Sequence, residues 1–186
     1  MDNRIYHRRS IRLPDWDYRQ GAYSVTIVTK DRENLFGEIA GDMVNLSKVG
    51  KIIRNEWLRL EKRFFHIHLD KYIVMPNHVH GIIVFRGRGM AESIENIDKS
   101  VERHAPAKGI FGKPVPGNLA TIIRSFKSST TLRVNLMNGT PGMPVWQRNY
   151  YEHIIREERD WQAISDYIDS NPEKWAEDRE NRSREY

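Results

Sequence analysis

The sequence predicts an α+β fold, a ferredoxin-like β-α-β-β-α-β antiparallel sheet with an added C-terminal helix, and three observations carry that prediction. Ala22 to Thr29 alternates with the period of a strand and is rich in β-branched residues. Two strongly apolar runs, Ile67 to Met75 and Val79 to Phe85, are separated by little more than Pro76-Asn77, a turn dipeptide that leaves room only for a hairpin. Stretches of helical spacing flank that hairpin on both sides, and the order strand, helix, hairpin, helix, strand specifies an antiparallel sheet with helices on one face.

Taken in order, residues 1–20 hold Arg4, Arg8, Arg9, Arg12 and Arg19 among Tyr6, Trp16 and Tyr18, with Pro14 excluding a helix, so a basic N-terminal arm is expected. The first strand then puts Tyr23, Val25 and Ile27 on one side and Ser24, Thr26 and Val28 on the other. Gly37 to Leu46 reads as a short hairpin. Ser47 is placed to cap a helix that runs to about Phe65 through Val49, Ile52, Ile53, Trp57, Leu60 and Phe64. After the central hairpin, Arg86 to Gly117 turns to Gly, Pro and mixed charge without a period, the mark of a loop insertion. Helical spacing resumes over Asn118 to Asn135 through Leu119, Ile122, Ile123, Phe126 and Leu132. Val145 to Ile155 is the expected last strand. A final helix over 157–171 begins with acidic residues and stops at Asn171-Pro172. Residues 1–186 are expected to form one domain.

Thirty Lys and Arg against 25 Asp and Glu leave a formal charge of +5, a moderate bias toward polyanions. The absence of cysteine excludes disulfides and thiolate metal sites, so a metal here would need His, carboxylate, amide or water. No run is long and apolar enough to span a bilayer, and the first twelve residues lack the apolar core of a signal peptide. The expectation is a cytoplasmic protein with no membrane partner.

The sharpest chemical feature is His78-Val79-His80. Residues two apart on a strand share a face about 7 Å apart along the backbone, so both imidazoles can reach one metal ion. Polar decoration of the strand is the alternative, although Ile82 and Val84 continue the same face and place the rings beside buried surface. On the final helix, Tyr167 and Asn171 share a face at i and i+4. Trp161, Ile164, Ile168 and Trp175 form an apolar stripe there, so a packing role for Tyr167 stands beside a catalytic one. A catalytic role requires that this helix lie across the sheet face bearing the histidines. Trp146, Arg148, Tyr150 and Tyr151 offer other tyrosines, and their mix of aromatics with Arg suits stacking on unpaired bases. Arg124 and Lys127, like the arginines of the arm, are open to reading as a solvated face or as a phosphate track.

Taken together, RRSIRLPDWDY, GAYSVTIVT, MPNHVHGIIVF, IIRSFKS, VWQRNYYEHIIR and SDYIDSNPEKW resemble, in order and spacing, the REP-associated tyrosine transposases of the HUH nuclease superfamily. The resemblance implies a ferredoxin-like fold, His78 and His80 as paired ligands of Mg²⁺ or Mn²⁺, Asn171 as the position of a third ligand, and Tyr167 as the nucleophile. It further implies single-stranded DNA with hairpin structure as the partner, cleaved and rejoined through a 5′-phosphotyrosine by a monomer or homodimer. Arg8, Arg9, Arg12, Arg124, Lys127 and Arg148 are assigned to holding that DNA. Three alternatives stand beside this reading: a replication initiator or relaxase, which normally carries further domains; a hairpin-binding protein without nuclease activity; and a zinc hydrolase, for which two histidines with amide support are a meagre set.

Overall fold

The computed structural model describes residues 17–86 and 117–181. Arg8, Arg9 and Arg12 of the arm, and nearly all of the expected insertion, lie outside the described residues.

The main sheet has four strands in the order β4-β5-β1-β6, with β1 at Ala22–Val28, β4 at Ile67–Val74, β5 at His78–Phe85 and β6 at Tyr151–Ile155. Every neighbouring pair is antiparallel. The helices α1 (Lys48–Leu58) and α3 (Leu119–Asn138) sit in the two crossovers, which is the expected β-α-β-β-α-β arrangement. A separate two-stranded hairpin, β2 (Gly37–Ala40) with β3 (Met43–Leu46), precedes α1 as its sequence suggested.

Alternation along the central strands divides the interior into two clusters. Tyr23, Val25 and Ile27 of β1 meet Val79 and Ile83 of β5, and with Trp57, Leu60, Ile122 and Phe126 they form the main core beneath α1 and α3. Gly81 is required there, because a Cβ at this position would lie 2.4 Å from Cζ2 of Trp57. The opposite face carries Ala22, Ile82 and Ile155, covered by Ile168 of α4 (Glu158–Ser170). The sheet is therefore sandwiched, with the ferredoxin-like helices on one side and the added helix on the other.

The caps explain the helix limits. The Ser47 hydroxyl accepts from Gly50 N–H at 3.0 Å, and Asn118 Oδ1 accepts from Thr121 N–H at 2.9 Å, each satisfying an orphan donor of the first turn. Gly139, at φ 67°, takes the left-handed conformation that ends α3. The expected helix to Phe65 is divided at Arg59 into α1 and a single turn, α2 (Leu60–Arg63).

The last strand is shorter than its sequence pattern suggested. Val145 and Trp146 do run beside β1, with Lys30 N–H donating to Val145 O and Gln147 N–H to Val28 O. The Lys127 ammonium then takes the carbonyls of Gln147 and Asn149, both at 2.8 Å. That draws 147–150 out of the ladder, and regular pairing resumes only at Tyr151.

Candidate metal centre

His78 and His80 open β5 on the face turned toward α4, and the register of β1 sets Val28 opposite His78 and Thr26 opposite His80. Their ring centroids are 4.4 Å apart, and both side chains are buried. Asn77 fixes the first ring. Its Nδ2 donates to the carbonyls of Arg32 (3.1 Å) and Glu180 (2.7 Å), which orients the amide, so that Oδ1 can only accept from His78 Nδ1 at 2.8 Å. The hydrogen therefore sits on Nδ1, and Nε2 presents its lone pair. That Nε2 is buried without a hydrogen-bond partner among the described residues. Thr26 Oγ1 hydrogen-bonds the Nδ1 of His80 at 2.8 Å and so fixes the plane of that ring.

The apolar stripe of α4 settles on Ile82 and Ile155 and so aims the polar side of the helix at the histidines. The Tyr167 ring meets that of His80 edge to face at 5.2 Å, with its hydroxyl 3.5 Å from His80 Nε2. Tyr167 is 44% exposed, so one side of the phenol is open to a ligand. Asn171, one turn on, is 1% exposed, and its Oδ1 is a second buried atom without a hydrogen-bond partner among the described residues.

After α4 the chain turns through a short 3-10 helix, Trp175–Glu177, and returns past the site. Asp178 comes to rest with Oδ1 accepting from Glu180 N–H at 2.6 Å and Oδ2 accepting from the Tyr167 hydroxyl at 3.4 Å. Ligand atoms of His78, His80 and Asp178 all lie within 4.8 Å of one another. A clustered pair of imidazoles and a carboxylate, with His78 Nε2 buried and unpartnered among the described residues, are what a cation would satisfy, so the residues present fit a divalent metal.

The electrostatics agree. Burial, assisted by the positive charge of Arg179, pushes the His78 imidazole down to about 3, against the opposing influence of Asn171. Burial also holds His80 well below the usual histidine range, with the neighbouring His78 adding to the effect and Asp178 opposing it. Both rings are thus neutral near pH 7, the form that ligates metal. Tyr167 is pushed up, by burial first and by the Asp178 carboxylate second, with Asn171 and Arg179 pulling the other way.

The expected site residues divide into two groups. His78, His80, Tyr167 and Asn171 are brought together. Arg124 and Lys127 lie on α3, against the opposite face of the sheet. Arg124 is exposed there, while the Lys127 ammonium is engaged by the two carbonyls that shape the loop before β6. Arg148 is exposed in that loop. Asn77, Thr26 and Asp178 escaped sequence reading. Asp178 belongs to the acidic run WAEDRE, where no periodicity distinguishes one carboxylate from its neighbours, and Thr26 looks like any β-branched strand residue.

No family model matches the sequence. The fold is that of the REP-associated tyrosine transposases: a solved structure of one, bound to a REP hairpin, aligns over 88% of this chain and 73% of its own at a TM-score of 0.55 and 17% identity. The chain belongs to the same family as a Haemophilus influenzae protein described as uncharacterized, which is 36% identical over 177 residues, 94% of this chain and 93% of that protein. No helix among the described residues is long and apolar enough to cross a membrane.

Proposed function

We propose that the chain is a metal-dependent, single-tyrosine HUH transposase that cleaves and rejoins single-stranded DNA at hairpins through a 5′-phosphotyrosine. The observation that carries this is the convergence of the half-exposed Tyr167 hydroxyl on two buried, neutral imidazoles whose orientation is fixed from behind. The fold neighbour's complex with a REP hairpin supports DNA of that shape as the partner.

Each residue then has a task. His78 and His80 would hold Mg²⁺ or Mn²⁺, with Asn171 and Asp178 supplying oxygen. Bound there, such a cation would act as a Lewis acid on a phosphate oxygen. Tyr167 Oη attacks phosphorus in line with the departing 3′-oxygen. A phenol already above its usual pKa of about 10 needs its proton handled, and Asp178 Oδ2 is the acceptor that faces it. The phenol's proton passes to Asp178, and the departing 3′-oxygen takes a proton from solvent. A phosphodiester has been exchanged for a phosphodiester, so a second DNA 3′-hydroxyl can reverse the step without a nucleotide cofactor. Asn77 keeps His78 in one tautomer, and Asn77 and Thr26 keep both rings in one orientation throughout.

The test uses labelled single-stranded DNA carrying hairpins from the chain's own genomic neighbourhood, with Mg²⁺ or Mn²⁺. A denaturant-stable protein–DNA adduct should form, require metal, vanish in Tyr167→Phe and survive in Tyr150→Phe and Tyr151→Phe. Tight hairpin binding without an adduct under any metal would replace this reading with that of a hairpin-binding protein.

A further inference from the structure

We propose that the Arg179 guanidinium grips a non-bridging oxygen of the scissile phosphate and stabilises the charge gathering there as Tyr167 attacks, an inference that rests on the transposase reading above. Its placement follows from a cross-strand row. His80 on β5 pairs with Thr26 on β1, and Thr26 pairs with Tyr151 on β6, so all three project from one face of the sheet. The Arg179 guanidinium lies over the far end of that row, 5.1 Å from the centroid of the Tyr151 ring. Its neighbour in sequence, Asp178, touches the nucleophile. A cation is thereby held by stacking at the end of the row that leads to His80, next in the chain to the residue that touches Tyr167, on an element distinct from those carrying the histidines and the tyrosine.

Local charge pairing does not use this cation up. Glu180, whose side chain is 3% exposed, accepts from Arg32 Nε at 2.9 Å, while Arg179 Nε stands 3.4 Å away on its other oxygen. One carboxylate faces two guanidiniums, and the Arg179 side chain is 67% exposed. Stacking and one edge fix its plane, and the remaining N–H groups of the fork, which have no partner among the described residues, can meet a phosphate oxygen. In the step itself the Tyr167 Oη–P bond forms and the P–O3′ bond breaks. Arg179 neither gives nor takes a proton, and it balances charge on an equatorial oxygen.

The experiment measures single-turnover adduct formation by the full chain on an oligonucleotide carrying the mapped cleavage site. Arg179→Gln should slow the step on the order of 10²-fold, and Arg179→Lys should recover part of that loss because it keeps the charge but not the fork. The same oligonucleotide is then made with a neutral methylphosphonate at the scissile position, each diastereomer separately. In the diastereomer that removes the oxygen facing Arg179, wild type and Arg179→Gln should react at equal rates. A purely structural role predicts equal losses on the normal DNA and on both diastereomers, and that result overturns the inference. So does an unchanged rate for Arg179→Gln on normal DNA. If wild type forms no adduct on any hairpin, the transposase reading itself has failed, a result distinct from either of these.

Discussion

Asn77→Ala removes three hydrogen bonds from a residue with no exposed surface: one to His78 Nδ1 and two to the carbonyls of Arg32 and Glu180. Alanine leaves two carbonyls and a ring nitrogen without those partners in a buried place. At about 1 kcal/mol net per bond the loss is roughly 3 kcal/mol. For a chain of this size each kcal/mol moves the melting midpoint by about 2–4 °C, so a fall of about 6–12 °C is expected. Loss of the ring anchor should also weaken metal binding by about 10–100-fold. Thermal denaturation without metal reads the first effect, and calorimetric titration with Mn²⁺ reads the second. Asn77→Asp separates them, since it keeps the acceptor for the ring but loses both donors: stability should fall while Mn²⁺ affinity holds. A midpoint within 2 °C of wild type in Asn77→Ala, about a tenth of a typical mesophile's margin above ambient, together with unchanged Mn²⁺ affinity, would refute the claim that this turn residue builds the site.

Further outcomes follow from other contacts. Gly81→Ala drives a methyl group into the Trp57 ring and should cost about 1–3 kcal/mol or more, read as a lowered midpoint with far-UV circular dichroism retained. Mn²⁺ should support adduct formation at lower concentration than Mg²⁺, because two imidazole nitrogens suit the softer ion; equal half-saturation for both would count against His78 and His80 as ligands. Burial pushes the Lys127 ammonium down to about 8. Its folded pKa is thus below its unfolded one, the unfolded chain binds more protons between them, and stability should gain from this residue as pH rises from about 8 toward 10.5. Chemical denaturation of wild type and Lys127→Met across that interval should show the gain in wild type alone.

What the sequence made legible was whatever depends on local spacing. Two histidines at i and i+2 of an apolar strand had to share a face, and a tyrosine and an asparagine at i and i+4 of a helix had to share another. That the two faces meet was a condition the sequence could state but not guarantee, because it depends on α4 docking through Ile168 onto Ile82 and Ile155 rather than beside the other helices. Contacts made by chain returning from afar were illegible. Asp178 reaches the phenol only after a 3-10 turn, and the Asn77 amide meets a carbonyl 103 positions along the chain. Lys127 shows the same limit from the other side. Its spacing on α3 marked it as a surface cation, and only the path of 147–150 beneath it turns that charge inward.

The division of the site along the chain bears on synthesis. The histidines leave the ribosome early, and they lie in strands that close the main core with α1 and α3. Tyr167, the proposed nucleophile, and Asn171, Asp178 and the Glu180 carbonyl that steadies Asn77 are all translated afterwards. A nascent or truncated chain ending before Tyr167 would hold both rings and lack the proposed nucleophile. On the transposase reading proposed above, the capacity to cut DNA would be acquired only once these last structural elements are in place, and aborted translation would release fragments without it.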